Sequence, residues 1–123
     1  MQGHVTGSQP TLKVPFLIPN ISVFELEFVV DTGFEGDLTL PLAVAEALNL
    51  EFDQPMVANL ADNVNRSVDA FHAKSRWFGE ERRVIVLGLG RRPLLGTRLL
   101  DSNDLAIEFI HNGSVKITQH TGT

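Results

Sequence analysis

Apolar residues alternate with polar ones at Leu12, Val14 and Phe16, and again at Phe24, Leu26, Phe28 and Val30, with Glu25 and Glu27 in the intervening positions. A period of two is the signature of strands that bury one face and wet the other. Pro19-Asn20 separates the two runs as a turn. The first third of the chain is thereby committed to a sheet. At 123 residues and 43% hydrophobic content, the sequence holds material for one compact core.

Residues 1–10 are polar, with two glycines and a proline, and read as a flexible leader; residues 11–123 read as a single domain. Leu40, Ala43, Val44, Ala47 and Leu48 recur at the three-and-four spacing of a helix face, Pro41 stands where a first turn tolerates it, and Asn49 is a stop. Extended runs are expected over 56–61, 67–78 and 82–88, with turns at Asp62-Asn63-Val64-Asn65 and Gly79-Glu80-Glu81. Pro93 to Asp101 reads as a strand end, a glycine and one short helical turn. Around Asn112-Gly113, a three-residue loop with a left-handed glycine pairs Phe109 with Val115 and Ile107 with Ile117, leaving Glu108 opposite Lys116.

A formal charge of −5 argues against a nucleic-acid partner, whose binders carry a basic field. No stretch has the length of a membrane span, and the expectation is a cytoplasmic protein with no membrane partner. The absence of cysteine leaves carboxylates, hydroxyls and imidazoles to carry any chemistry. His4, His72, His111 and His120 lack ligand spacing, so no metal is expected, and no cofactor either: Gly88-Leu89-Gly90 lacks the third glycine of a dinucleotide loop, because position 93 is proline. Arg82-Arg83 and Arg91-Arg92 bracket a predicted strand, either as solvated strand ends or as one basic spot.

Asp31-Thr32-Gly33 ends the apolar run Phe28-Val29-Val30 and is followed by Phe34-Glu35-Gly36-Asp37 and a second run, Leu38-Thr39-Leu40. A strand that delivers a carboxylate into a tight glycine turn is what acid-type peptide hydrolysis needs. Asp37, Asp53, Asp62, Asp69, Asp101 and Asp104 lie in polar or turn-like stretches and read as solvated or capping.

Strand, Asp-Thr-Gly, strand, short hairpins, then two apolar residues and a glycine leading to a short helix is an order that resembles the retropepsins, the retroviral-type aspartic proteases. The wording is most similar to small prokaryotic retropepsin-like proteins: Asp31 to Phe34, the exit Leu38 to Pro41, and Leu94-Leu95-Gly96 to Leu99-Leu100. The resemblance implies a mainly β, closed-barrel-like acid-protease fold, with one helix after the Asp31 turn and a short helix near the C-terminal third. It implies that Asp31 is the catalytic carboxyl, that Thr32 hydrogen-bonds across a dimer axis, and that Gly33 lets the backbone approach the site. The covering hairpin, or flap, falls on about Met56 to Ala70, with Asp62, Asn63, Val64 and Asn65 as its tip. Two positions depart from the viral pattern. No glycine occurs between Gly36 and Gly79, and Thr97 follows Gly96 where viral chains have arginine, with Arg98 one place later.

Hydrolysis by carboxyl groups needs one protonated acid and one ionised base, so a chain with one triplet implies a homodimer. Two carboxylates that close must share a proton, which predicts a bell-shaped rate profile with an acidic to mildly acidic optimum. The function expected is a homodimeric aspartic endopeptidase acting on extended peptides. The alternative is a catalytically silent dimerisation or peptide-binding module that keeps the fold.

Overall fold

The structure is a computed structural model that describes residues 1–18, 23–59 and 64–121. Its strands are β1 (Gln2–Thr6), β2 (Gln9–Leu17), β3 (Val23–Val30), β4 (Leu38–Leu40), β5 (Glu51–Asn59), β6 (Asn65–Trp77), β7 (Glu80–Gly88), β8 (Leu94–Leu95), β9 (Asn103–Ile107) and β10 (Ser114–Gln119). Two short helices, α1 (Leu42–Ala47) and α2 (Thr97–Leu100), interrupt them. Among the described residues, no helix is long and apolar enough to cross a membrane.

The strands form one mixed sheet in the order β5, β6, β7, β4, β8, β3, β2, β1, β10, β9. A bridge between Phe16 and Ser75 also joins β2 to β6, so the sheet bends back over its own face. That bend encloses the core. Leu12, Val14, Phe16 and Phe28 are buried, as the alternation predicts, and the rings of Phe16 and Phe28 lie 5.9 Å apart. Leu38, Leu40, Val84, Val86, Leu95 and Leu99 join the cluster from other strands and from α2.

Several local expectations need correction. Residues 1–10, expected as a loose leader, carry β1 and the first two positions of β2. β1 lies between β2 and β10, and only Val5 of its five residues is buried. A strand held by backbone hydrogen bonds on both sides needs no apolar pattern, which is why composition hides it.

Leu40 belongs to β4 rather than to the helix: it is fully buried and opposite Gly88. Pro41 is extended (φ −51°, ψ 137°) and α1 starts after it, burying Ala45 rather than Ala43 or Ala47. Asn49 does stop this helix. It is left-handed (φ 54°), its N–H donates to the Glu46 carbonyl and that of Leu50 to the Ala45 carbonyl, the double bond pattern that satisfies a helix end.

The turn between β6 and β7 is Phe78-Gly79 rather than Gly79 to Glu81. Both residues have positive φ (53° and 78°), the twist that suits a two-residue hairpin. At the C-terminal hairpin, Val115 faces Ile107 and Ile117 faces Leu105, two residues away from the expected register. The face is preserved and the pairing is not, because side-chain parity survives a shift of two. Phe109 stands 67% exposed in the connection, Asn112 rather than Gly113 is left-handed, and Ala106 faces Lys116. Glu108 instead accepts hydrogen bonds from the Ser114 N–H (3.2 Å) and hydroxyl (2.5 Å).

Candidate active site

β3 and β8 run parallel, with Val29 opposite Leu94 and Val30 opposite Leu95. The ladder extends by one hydrogen bond, from the Asp31 N–H to the Leu95 carbonyl at 2.9 Å. β8 also pairs with β4 on its other side, so residues 31–37 must cross the end of β8 to connect β3 to β4. The side chain of Asp31 is therefore presented at a strand end over a fixed floor. Its Oδ1 accepts the Gly33 N–H at 2.9 Å, which sets the orientation of the carboxylate.

The floor beneath the crossing is the start of α2. Gly96 N–H donates to the Asp37 carbonyl (2.8 Å), Thr97 N–H to Phe34 (2.8 Å) and Arg98 N–H to Gly36 (3.2 Å). Thr97 adds its hydroxyl to the same Phe34 carbonyl at 3.3 Å. A Cβ at Gly96 would collide with the Gly36 carbonyl and would lie 2.6 Å from that of Phe34, so only glycine lets the two segments meet. Thr39 locks the neighbouring loop: its hydroxyl accepts the Leu94 N–H (3.1 Å) and donates to the Arg92 carbonyl (3.4 Å).

Asp37, read from sequence as solvated or capping, is 5% exposed. Its Oδ2 accepts the Ile85 N–H at 3.0 Å, and Oδ1 faces Arg98 Nε at 3.9 Å, an ion-pair distance too long for a hydrogen bond. The carboxylate thus ties β7 to the crossing. Nothing near Asp37 in the sequence reveals this, because its partner is 48 residues away.

Asp31 is partly exposed and lines an open depression of about 500 Å³. Thr32 and Gly33 beside it are exposed. Arg91 and Arg92 line the same depression and form no spot with Arg82 and Arg83. Within β7, Arg83 lies opposite Lys74, and Gly88 ends the strand opposite Asp69, about 17 Å further along; Arg91 and Arg92 follow in the loop after that end.

Of the flap-tip positions, Asp62 and Asn63 lie outside the described residues. Val64 is exposed, and Asn65 opens β6 opposite Asn59. The β5–β6 hairpin is longer than the sequence suggests, its pairing running down to Glu51 opposite His72 past an irregularity at Asp53. Among the described residues, no group of three His, Asp or Glu side chains gathers as a metal site.

No family model matches the sequence, and comparison with curated proteins finds no match. Among solved structures, the chain is similar to a retropepsin-like aspartic protease from Rickettsia conorii, with a TM-score of 0.56 at 16% identity. The match covers 100% of this chain and 92% of that one. With this likeness spanning all its strands and both short helices, the chain has a mainly β fold of the retropepsin-like kind.

Proposed function

We propose that the chain is an aspartic endopeptidase that works as a homodimer, each copy giving one Asp31 to a shared pair of carboxyls. The observation that carries this reading is the position of Asp31. It follows β3 directly, its backbone is tied to Leu95, its side chain is oriented by Gly33, and it opens on a depression large enough for a side chain.

In this mechanism one carboxyl of the pair is protonated and polarises the scissile carbonyl, while the ionised one takes a proton from the attacking water. Thr32, exposed beside Asp31, hydrogen-bonds to the partner copy and holds the two turns in register. The hairpin of β5 and β6 roofs the cleft. An extended peptide then adds as a strand beneath that roof.

The absence of glycine between Gly36 and Gly79 favours a second reading, a peptide-binding module without turnover, because a stiffer hairpin closes less readily. Asp31→Asn separates the two. A digest of unfolded protein, scanned over pH with a transition-state inhibitor of aspartic proteases as control, is expected to show a bell-shaped profile for the wild type. The variant is expected to lose at least about a thousandfold in kcat/KM, since it can neither share nor transfer the proton. Equal cleavage by both proteins would remove Asp31 from the mechanism; peptide binding without cleavage by either would favour the silent module.

A further inference from the structure

Two guanidinium groups, those of Arg91 and Arg92, line the Asp31 depression without forming an ion pair. Arg91 and Arg92 are exposed, and among the described residues neither has a carboxylate within ion-pair distance. Lys74 reaches Glu81 at 3.8 Å and Arg98 reaches Asp37 at 3.9 Å, while Lys13, Arg76, Arg82, Arg83 and Lys116 make no ion pair among the described residues; what sets Arg91 and Arg92 apart is that both line the depression that holds Asp31. In a chain of net charge −5, two adjacent unpaired arginines beside the one carboxylate of interest run against the overall field.

Their backbone is also fixed. The Arg92 carbonyl accepts the Thr39 hydroxyl, the Pro93 carbonyl accepts the Val29 N–H at 2.9 Å, and the Leu89 N–H donates to Leu40 at 2.9 Å. The loop is anchored on both sides, while its charged ends remain free to engage a ligand. Val29 and Leu94 add apolar lining and Gln9 adds an amide. Such a surface suits a peptide carboxylate, to which a guanidinium can donate two parallel N–H bonds.

We infer that Arg91 and Arg92 select peptides carrying Asp or Glu next to the residues seated at Asp31. The inference rests on the proposed peptidase reading, and it has a consequence special to a symmetric dimer. The depression is repeated by the twofold, so acidic residues are favoured on both sides of the bond that is cut.

The test uses two fluorescent peptides of equal length that differ only in flanking Glu against Gln. Binding is measured by anisotropy on Asp31→Asn, and cleavage on the enzyme with Asp31 intact. The expected result is about a tenfold preference for the Glu peptide in both readouts, weakened by added salt. In an Arg91→Ala/Arg92→Ala background the ratio falls towards one, and Arg91→Glu/Arg92→Glu turns it towards a lysine-flanked peptide, with circular dichroism confirming the fold. Glu and Gln peptides that bind alike, or not at all, overturn the inference, as does a preference that survives the double alanine change. Selective binding that depends on the arginines, without cleavage, would keep the recognition site and sink the peptidase reading instead.

Discussion

At the scale of single residues, Asp37 separates a strong contact from a weak one. It is almost fully buried and accepts the Ile85 N–H, whereas its ionic partner Arg98 is 62% exposed at the side chain. An exposed partner at 3.9 Å is worth under about 1 kcal/mol, while a buried N–H left without an acceptor costs about 1–3 kcal/mol. Asp37→Ala is therefore expected to lower unfolding free energy by about 1–3 kcal/mol and Arg98→Ala by less than about 1 kcal/mol, measured by urea titration. Asp37→Asn retains a carbonyl oxygen for Ile85 and is expected to fall between them. Equal losses from Asp37→Ala and Arg98→Ala would show that the ion pair, not the backbone bond, holds β7 to the crossing.

At the scale of elements, the β9–β10 hairpin shows what sequence alone can resolve. The two hydrogen bonds from Ser114, hydroxyl first and then N–H, hold the Glu108 carboxyl below its usual range. A carboxyl whose folded value is depressed stabilises the fold above its unfolded pKa and loses that contribution as pH falls through the folded value. Urea midpoints taken from about pH 7 to about pH 3 are expected to differ between wild type and Glu108→Gln at the upper end and to converge at the lower. A gap that persists in acid would place the effect elsewhere. The same bonds sit in the connection that lengthens when the pairing shifts by two residues. Periodicity reports which face a residue takes, and Leu12, Val14, Phe16, Val115 and Ile117 are buried accordingly, whereas Phe24, near the start of β3, is on the alternating pattern but 40% exposed. Periodicity carries no information on which residue lies opposite, and here the connection is closed by backbone and side-chain hydrogen bonds over residues 108–114 that the alternation does not encode. The same limit applies around Asp31. Its own place at a strand end is legible in the local pattern, but the burial of Asp37 and the proximity of Arg91 and Arg92 arise from segments far apart in sequence, joined by β4, β7 and β8.

At the scale of the whole molecule, the proposed chemistry turns on stoichiometry. Each chain contributes one Asp-Thr-Gly turn, so a proton-sharing pair requires two copies, and a copy carrying Asn at position 31 would occupy a place in the dimer without supplying a titrating group. Mixing wild type with Asp31→Asn under conditions where subunits exchange makes this measurable. If chains pair at random, active dimers form in proportion to the square of the wild-type fraction, whereas the wild-type content falls only in direct proportion. An equal mixture is thus expected to retain about half the activity of its wild-type chains measured alone, and excess variant to suppress the rate further. Adding the same amount of an unrelated protein should leave the rate unchanged. Sedimentation of the mixture supplies the control, because the variant removes a proton-carrying group and leaves the shape of the turn intact, so dimers must persist throughout. Activity that tracks wild-type content linearly, with the mixed dimers present, would mean that one Asp31 suffices, and a site needing no twin would have to draw its second proton-transfer group from within the same chain.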